Sequence, residues 1–257
     1  MQKMLSMLRG CIDDYGMIEA GDKIAVGVSG GKDSLTLLVT LAELRRFYPK
    51  PFELVALSLH PGYEDMSFDE VAALCERIGV PYIVKQTEIA RIIFDIRKEP
   101  NPCALCAKMR RGALNDLAKS VGCNKVALGH HYDDAVETFV LSLFYEGRIG
   151  CFLPVTYLSR ADLTVIRPLL YMTERDIRNF AARQSLPVVY NPCPADKHTK
   201  REEVKELLRT LESTHSDLRK HIFGAMQRYP LGGWGKISHT AQDGKDSSPE
   251  SSTSAEQ

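Results

Sequence analysis

Short apolar runs alternate with amphipathic segments along most of the chain. The apolar runs are bounded by Gly, Pro and polar residues and predict strands; they lie at 23–29, 52–59, 81–86, 125–130, 165–170 and 187–190. The other segments carry apolar residues at helical spacing; they lie at 35–47, 67–78, 103–121, 134–145, 173–184, 200–211 and 216–228. Because strands that alternate with helices are joined by right-handed crossovers, this order predicts a buried parallel sheet covered by helices.

The pattern predicts one α/β domain with a helical C-terminal part. An N-terminal helix within residues 1–20 precedes this domain, which we assign to residues 21–231 because no linker or internal repeat divides it. Residues 232–257 are rich in Gly, Ser, Thr and charged side chains and hold one aromatic residue, Trp234. Such a composition buries too little apolar surface to offset the entropy of ordering. We therefore expect a disordered tail that is dispensable for stability.

Composition and charge exclude several classes of protein but do not identify the function. The 257 residues include 33 basic and 33 acidic side chains and are 44% hydrophobic, which excludes a collagenous, wholly disordered or membrane-embedded chain. The N-terminal segment is too polar for a signal peptide, and no stretch approaches the roughly 20 apolar residues of a membrane span. We expect a cytoplasmic protein that does not engage membranes. The zero net charge gives no support to a nucleic-acid partner, although a local basic face is compatible with it.

A glycine-rich loop, SGGKDS, follows the first predicted strand and leads directly into a helix. Adjacent glycines allow a sharp turn that exposes backbone N–H groups, the helix N-terminus adds the positive end of a dipole, and a lysine adds a full charge, so the loop is a candidate anion site. The Walker A spacing fails at Val26 and Asp33, and the dinucleotide fingerprint fails as well. The alternative is a plain turn in which Ser29 caps the helix. The loop residues are Ser29, Gly30, Gly31, Lys32, Asp33 and Ser34.

Two adjacent carboxylates, Asp133 and Asp134, follow a later strand and open a helix. One interpretation is that they complement the helix dipole. The other is that they hold Mg²⁺, which takes one or two carboxylates together with phosphate oxygens. The expected position of the glycine-rich loop on the neighbouring strand favours the magnesium site.

The seven cysteines are an odd number and predict reduced thiols, ligands or catalytic groups before disulfides. Cys103 and Cys106 lie one turn apart at the start of a predicted helix, and Cys193 lies in a later loop at the same edge of the sheet. A zinc site would need a second C-x-x-C pair or two histidines at suitable spacing, and a redox-active pair would need no third cysteine, so neither site matches this spacing well. Three thiolates can hold an iron–sulfur cluster with one iron open. The remaining thiols are expected to pack in the core; they are Cys11, Cys75, Cys123 and Cys151.

Together these motifs resemble a known family. The SGGKDS loop resembles the pyrophosphate-binding loop of the PP-loop ATP pyrophosphatase superfamily, and LGHHYDDAVET at 128–138 resembles the GHxxDDxxET segment of its tRNA-modifying branch. The C-x-x-C pair, the later Cys193 and the adjacent Arg110 and Arg111 resemble the tRNA 2-thiocytidine synthetase family. The similarity extends from about residue 21 to residue 228, which is nearly the whole predicted fold.

The resemblance implies a fold, a reaction and a set of site residues. The fold would be the parallel-sheet, Rossmann-like domain of the adenine-nucleotide alpha-hydrolase type. The reaction would be tRNA thiolation that forms 2-thiocytidine, expected at position 32 of the anticodon loop, with ATP cleaved to AMP and pyrophosphate through an adenylated base. The implied cofactors are Mg²⁺ and a 4Fe-4S cluster bound by Cys103, Cys106 and Cys193. The implied partners are tRNA, a sulfur donor such as a cysteine desulfurase, and a second copy of the chain in a homodimer.

The implied roles fall into three sets. The catalytic set is Lys32, Asp33, Arg110 and Asp133. ATP would be bound by the loop residues 29–34 together with Gly129, Asp133 and Asp134. The RNA-binding face would comprise Lys108, Arg111, Lys197, Lys200 and Arg201. Two alternatives stay open: a PP-loop sulfur or amide transferase acting on another nucleotide or a small molecule, and a non-catalytic sensor of ATP through an iron–sulfur cluster.

Overall fold

A six-stranded sheet forms the centre of the structure, a computed structural model that describes residues 1–98, 102–193, 200–229 and 231–236. The strand order across the sheet is β3-β2-β1-β4-β6-β5, and all neighbours are parallel except the edge pair β5 and β6. The strands are β1 (Lys23–Gly27), β2 (Glu53–His60), β3 (Tyr82–Gln86), β4 (Lys125–Ala127), β5 (Val155–Leu158) and β6 (Leu163–Ile166).

Helices connect the strands and form the C-terminal part. In the described residues they are α1 (Gln2–Asp14), α2 (Lys32–Leu44), α3 (Asp69–Arg77), the short α4 (Ile89–Arg91), α5 (Pro102–Ser120), α6 (Tyr132–Tyr145), α7 (Glu174–Arg183), α8 (Lys200–Glu212) and α9 (Leu218–Arg228). A π-helical turn at Ile92–Ile96 continues α4, and a 3₁₀ turn at Pro168–Tyr171 follows β6. None of these described helices is long and apolar enough to cross a membrane.

The central strands are buried on both faces, which explains their continuous apolar runs. Ile24 and Val26 of β1 pack into the larger core beneath α1 and α2, whereas Ala25 between them packs into a second core with Ala118 of α5. Successive side chains of a strand point to opposite faces. The sheet therefore separates two helical layers, and the predicted α/β class with a helical C-terminal part is confirmed.

Two strand predictions differ from the structure. The run at 187–190 is not a strand; Val189 instead donates its N–H to the carbonyl of Gly30 at 2.9 Å. The run at 165–170 ends as a strand at Ile166 because Pro168 has no N–H for the ladder. Strand β5 was not predicted, since its exposed edge position puts Thr156 and Tyr157 where a buried strand would have apolar residues.

The prediction that a disordered tail begins at Gly232 is wrong for residues 232–236. Trp234 is fully buried, its indole N–H donates to the carbonyl of Phe152 at 3.1 Å, and its ring packs edge-on against Phe223 at 5.5 Å between centroids. The composition of the whole segment did not reveal this residue. One large aromatic side chain buries enough apolar area to order the few polar residues around it. Residues 237–257 of the predicted tail lie outside the described residues.

Candidate active site

The glycine-rich loop, called the phosphate loop below (Ser29–Ser34), forms a closed turn between β1 and α2. Ser34 Oγ accepts the N–H of Ser29 at 3.1 Å and donates to the carbonyl of Gly31 at 2.9 Å. Gly30 has φ +85°, and a Cβ on it would lie 2.7 Å from the Cβ of Val189, so only glycine fits there. The N-cap of α2 is Gly31, and Ser29 Oγ accepts the N–H of Gly31 at 3.4 Å instead of an N–H within the helix, so Ser29 is not the N-cap of α2. The first N–H groups of α2 are left for an anion.

A second glycine brings the end of β4 against this loop. A Cβ on Gly129 would lie 3.1 Å from both the carbonyl carbon of Asp33 and the nitrogen of Ser34. Because β1 and β4 are parallel neighbours, their carboxyl ends meet at one edge of the sheet, and helices α2 and α6 both begin there. The phosphate loop and the acidic pair therefore lie side by side, as the sequence predicted.

His131 links the loop to the acidic pair. Its side chain is buried, and its Nε2 lies 3.8 Å from Asp33 Oδ1 and 3.4 Å from Asp134 Oδ2. Asp134 also accepts the backbone N–H of His131 at 3.0 Å, which caps α6. Burial alone would raise the pKa of Asp134. The His131 imidazole, this hydrogen bond and the guanidinium of Arg201 together lower it by more than burial raises it, so the pKa of Asp134 is lowered overall. Asp134 is therefore held as a carboxylate.

Asp133 has a different environment from Asp134. Its Oδ2 accepts the N–H of Glu174 at the start of α7 at 2.7 Å, and its Oδ1 lies 3.2 Å from Nη1 of Arg219 on α9. Asp134 lines the large cavity next to the loop, whereas Asp133 is not among its lining residues. The structure thus brings Asp134 to the candidate site, and it gives Asp133 the task of joining three helices.

Arg219 is the centre of this joint and was not identified from the sequence. Its side chain is 13% exposed and lies 3.2 Å from Asp133, 3.5 Å from Glu137 and 3.0 Å from Glu212. Burial raises the pKa of Glu137 to about 7, although Arg219 and neighbouring lysine and arginine charges oppose the shift. The signal available in the sequence was weak, since an isolated arginine in a helix usually faces solvent.

A cavity of about 700 Å³ opens beside the phosphate loop and the carboxyl ends of the strands. Its polar lining includes Asp33, Ser34 and Asp134, together with Arg110 and Arg111 of α5. Apolar side chains from β2, β4, β5, β6 and α5 complete it. A pocket with an apolar lining and a few convergent polar groups is typical of a small-molecule site. The volume accommodates a nucleotide.

Lys32 lies at the edge of the same region. Its ammonium nitrogen is 3.2 Å from Asp33 Oδ1 and 3.4 Å from Glu174 Oε1. Burial lowers the pKa of Lys32, but the charges of Asp33 and Glu174 raise it more, so the ammonium stays protonated. Lys32 therefore supplies a permanent cation beside the loop.

His130, Phe152 and Arg167 form a stacked group in the cavity that the sequence analysis did not select. The rings of His130 and Phe152 are 4.9 Å apart between centroids, and the guanidinium of Arg167 lies 4.9 Å from the Phe152 ring centre. Burial and the charge of Arg167 lower the pKa of His130 to about 4, so this imidazole is neutral at pH 7. Burial lowers the pKa of Arg167 to about 10, which leaves it cationic. Arg167 directly follows β6, and His130 lies three residues after the end of β4; this position at the carboxyl ends of parallel strands was the available signal.

The three predicted ligand cysteines lie near one another. Cys103 and Cys106 lie in the first turns of α5, and the charge of Cys193 acts on Cys106. Burial raises the pKa of Cys106, while Arg110 opposes this through its charge and a hydrogen bond to the sulfur. Tyr63 forms a hydrogen bond with Cys193, and the pKa of Tyr63 is raised by burial, by this bond and by the charge of Cys106.

The donor set fits an iron–sulfur cluster in its chemistry, since the three residues are soft thiols and the charges of Cys103 and Cys193 both act on Cys106. All seven cysteines are outside disulfides. No three His, Cys, Asp or Glu side chains in the described ranges are arranged closely enough to hold a metal ion as they stand. Residues 99–101 and 194–199, which flank Cys103 and Cys193, lie outside those ranges. Cys11, Cys75 and Cys123 are buried as predicted, and Cys151 is half-buried.

The predicted RNA face is brought together only in part. Lys108 and Arg111 are exposed on α5 near the cavity mouth. Arg201 instead binds Asp134 at 2.9 Å and Thr138 at 3.1 Å, which fixes α8 to α6. Lys200 forms an exposed ion pair with Glu203 at 2.8 Å. Lys197 lies outside the described residues.

The chain is similar over most of its length to proteins of a known family. The PP-loop domain family matches residues 4–211. The tRNA-cytidine(32) 2-sulfurtransferase of Pelobacter propionicus is 42% identical over 218 residues, which cover 84% of this chain and 81% of that protein. The protein of the same name from Geobacter sulfurreducens is 38% identical over 228 residues, which cover 88% of this chain and 89% of that protein.

A solved structure has the same fold. The U34-tRNA thiolase NcsA from Methanococcus maripaludis, described with its [4Fe-4S] cluster, superposes with a TM-score of 0.71. The two chains are 24% identical, and the match covers 87% of this chain and 77% of that chain. The sheet and its helical layers are therefore an architecture that a thiolase also uses.

Gly30→Ala is expected to destabilise the protein by about 2 kcal/mol and to weaken nucleotide binding, because the new Cβ meets Val189 at a positive φ. Gly10→Ala is the matched control, since a Cβ there meets nothing within 4 Å in helix α1. Urea unfolding and nucleotide titration measure both effects. Equal behaviour of the two variants would contradict the tight fit of the loop.

Arg219→Ala is expected to lower the free energy of unfolding by about 3 kcal/mol, because it leaves three carboxylates in a partly buried site without their common cation. Arg209→Ala serves as the control: its ion pair with Glu206 is exposed, and we expect less than about 0.5 kcal/mol. Chemical denaturation compares the two. A loss at Arg219 no larger than at Arg209 would show that the joint is unimportant.

Proposed function

This chain belongs to the PP-loop family, among the tRNA-cytidine(32) 2-sulfurtransferases, and we propose from that membership that it forms 2-thiocytidine in tRNA, with cleavage of ATP to AMP and pyrophosphate. It is an ATP-dependent sulfurtransferase in this assignment. The substrate position is taken to be cytidine 32 of the anticodon loop, in agreement with the names of its relatives.

One observation carries the proposal: Arg110 lines the same cavity as the phosphate loop and also contacts Cys106, one of the three predicted cluster thiols. Asp33 and Ser34 line the cavity, as does Arg110 of α5. Cys106 lies four residues before Arg110 on the same helix and accepts its hydrogen bond. A base bound in this cavity can thus reach both the nucleotide and the sulfur chemistry.

The residues of the loop account for the nucleotide step. We assign the N–H groups at the start of α2 and the Lys32 ammonium to the β and γ phosphates. Asp33 and Asp134 would hold Mg²⁺: both line the cavity, and carboxylates are the side chains that Mg²⁺ takes together with phosphate oxygens. When bound, Mg²⁺ supplies neutralisation of phosphate charge. We therefore assign the metal to Asp134 in place of Asp133.

Two arginines are placed for the adenylation of the base. Arg167 is buried and cationic on the cavity wall, where a fixed charge stabilises negative charge better than in water. Arg110 lies between the cavity and Cys106, and we assign it to the oxygen of the base or its adenylate. Adenylation converts that oxygen into part of AMP, which is a good leaving group.

Cys103, Cys106 and Cys193 would hold the 4Fe-4S cluster. Bound by three thiolates, such a cluster supplies an iron that can carry sulfur to the activated carbon. The chain's own contributions are the thiols, the hydrogen bond from Arg110 to Cys106 and the hydrogen bond between Tyr63 and Cys193. These bonds orient the sulfurs and offset their charge.

Partners complete the proposal. Lys108 and Arg111 are exposed next to the cavity and would contact the phosphates of tRNA. A donor such as a cysteine desulfurase would restore the transferred sulfur. We also propose a homodimer and a cytoplasmic location; gel filtration with light scattering measures the first.

We expect ATP to yield AMP and pyrophosphate in the presence of tRNA, and Asp134→Asn to lower kcat on the order of 100-fold because it removes a metal carboxylate at the cavity. Asp133→Asn is the matched variant: it keeps an acceptor for the N–H of Glu174 and should reduce kcat much less. Product analysis and steady-state kinetics test both. ADP as the main product, or the opposite order of the two variants, would refute the assignment.

We expect anaerobically purified protein to show the broad visible absorption of a 4Fe-4S cluster, and Cys103→Ala, Cys106→Ala and Cys193→Ala each to abolish it because three ligands are the minimum. Cys75→Ala is the control, since this thiol is buried in the core away from the cavity. Iron and sulfide analysis accompany the spectra. Stoichiometric zinc without iron would overturn the cluster and leave the ATP step intact.

A further inference from the structure

The segment 231–236, called the strap below, crosses the protein from α9 back to α1. Its centre is Trp234, which is fully buried between Tyr15 at 6.4 Å and Phe223 at 5.5 Å between ring centroids. Its end is Lys236, whose ammonium lies 2.6 Å from Asp14 and 5.5 Å from the ring centre of Tyr171. The strap is therefore fixed at two points, one apolar and one charged.

The strap reaches the cavity through one hydrogen bond. The indole N–H of Trp234 donates to the carbonyl of Phe152 at 3.1 Å. Phe152 lines the cavity. Its ring centroid lies 4.9 Å from that of His130 and 4.9 Å from the guanidinium carbon of Arg167. Trp234 itself is not a lining residue. Its direct contact with a lining residue is therefore the hydrogen bond to Phe152.

The loop that holds Phe152 depends on contacts from outside itself. Residues 151–154 form no helix or strand. Arg167 donates hydrogen bonds to the carbonyls of Leu153 and Pro154 from its guanidinium and its backbone N–H. The strap also contacts this loop, since a Cβ on Gly233 would lie 3.4 Å from Cδ1 of Leu153, an ordinary van der Waals distance. Arg167 and the strap thus both contact this loop.

We propose that Trp234 is a positioning residue for the nucleotide site, which acts by fixing Phe152 and through it His130 and Arg167. The inference rests on the proposed function in one respect, that the cavity binds ATP. It deepens that function by adding a remote element of the chain to the nucleotide site. Binding free energies are reciprocal: if a docked strap favours nucleotide binding, bound nucleotide must favour the docked strap to the same degree.

The first test compares Trp234→Phe with Tyr229→Phe. The Trp234 variant keeps an aromatic ring in the slot and removes the hydrogen bond to Phe152, whereas Tyr229 is an 82% exposed aromatic of the same C-terminal region. We expect Trp234→Phe to raise the KM for ATP about fivefold, the equivalent of one hydrogen bond of about 1 kcal/mol. Cluster content should stay unchanged, and Tyr229→Phe should match the unsubstituted protein. A KM unchanged by Trp234→Phe, with only a lower Tm, would overturn the proposal.

The second test uses the unsubstituted protein, in which Trp234 is the single tryptophan and its fluorescence reports the strap alone. A non-hydrolysable ATP analogue is added without tRNA, and acrylamide quenching is measured. We expect binding to reduce the quenching constant by reciprocity. Analogue that binds without changing the quenching would overturn the proposal.

The two tests separate this inference from the proposed function. If the protein makes AMP and pyrophosphate but Trp234 neither responds to the analogue nor affects KM, the strap inference fails and the function stands. If the analogue protects Trp234 but tRNA is never thiolated, the function fails and the coupling of the strap to the cavity stands. Because the second test needs no turnover, it keeps its meaning even where Trp234→Phe impairs folding.

Discussion

The site depends on the close approach between the chain that follows strand β4 and the start of helix α2. Gly129, after β4, lies so near the N-terminus of α2 that a Cβ would be 3.1 Å from the backbone of Asp33 and Ser34. This approach brings two helix N-termini, those of α2 and α6, to one point at the carboxyl edge of a parallel sheet. Two partial positive charges then face one space, which favours an anion with several phosphates.

The same approach brings three carboxylates close together, and their mutual repulsion requires positively charged neighbours. Asp33, Asp133 and Asp134 all lie within 4 Å of the buried His131 imidazole, at 3.8, 3.8 and 3.4 Å. Each acid also has its own cation, which is Lys32, Arg219 and Arg201 respectively. This arrangement distributes the tasks of the acids: Asp33 and Asp134 face the cavity, and Asp133 joins helices.

The C-terminal elements complete the site from a distance. Arg219 of helix α9 pairs with Asp133 of α6, and Arg201 of α8 pairs with Asp134 of α6. The strap contributes the hydrogen bond from Trp234 to Phe152. None of these three side chains belongs to the glycine-rich loop or to the C-x-x-C pair. The helical C-terminal part therefore supports the site from outside, while the phosphate loop, the acidic pair and the cysteines provide the groups that would contact the ligands.

The sequence by itself determined the features that depend on neighbours along the chain. Apolar runs gave the central strands, because parallel strands are buried on both faces. The SGGKDS loop, the adjacent acids and the C-x-x-C pair indicated the site for the same reason: each motif is one local turn or helix start. Their common location also followed, since consecutive parallel strands end at one edge.

Only the tertiary structure decided what depends on residues distant in sequence. Asp133 and Asp134 are chemically identical neighbours, and only the presence of Arg219 and Glu174 at one and Arg201 at the other separates their roles. Val189 looked like part of a strand, yet Gly30 binds its N–H in a loop. Trp234 stands in a polar segment whose composition predicts disorder, and it is ordered because it packs against Tyr15 and donates to the carbonyl of Phe152, both of which are far away along the chain. Local patterns carry no record of such partners, because long-range packing is set by the whole fold.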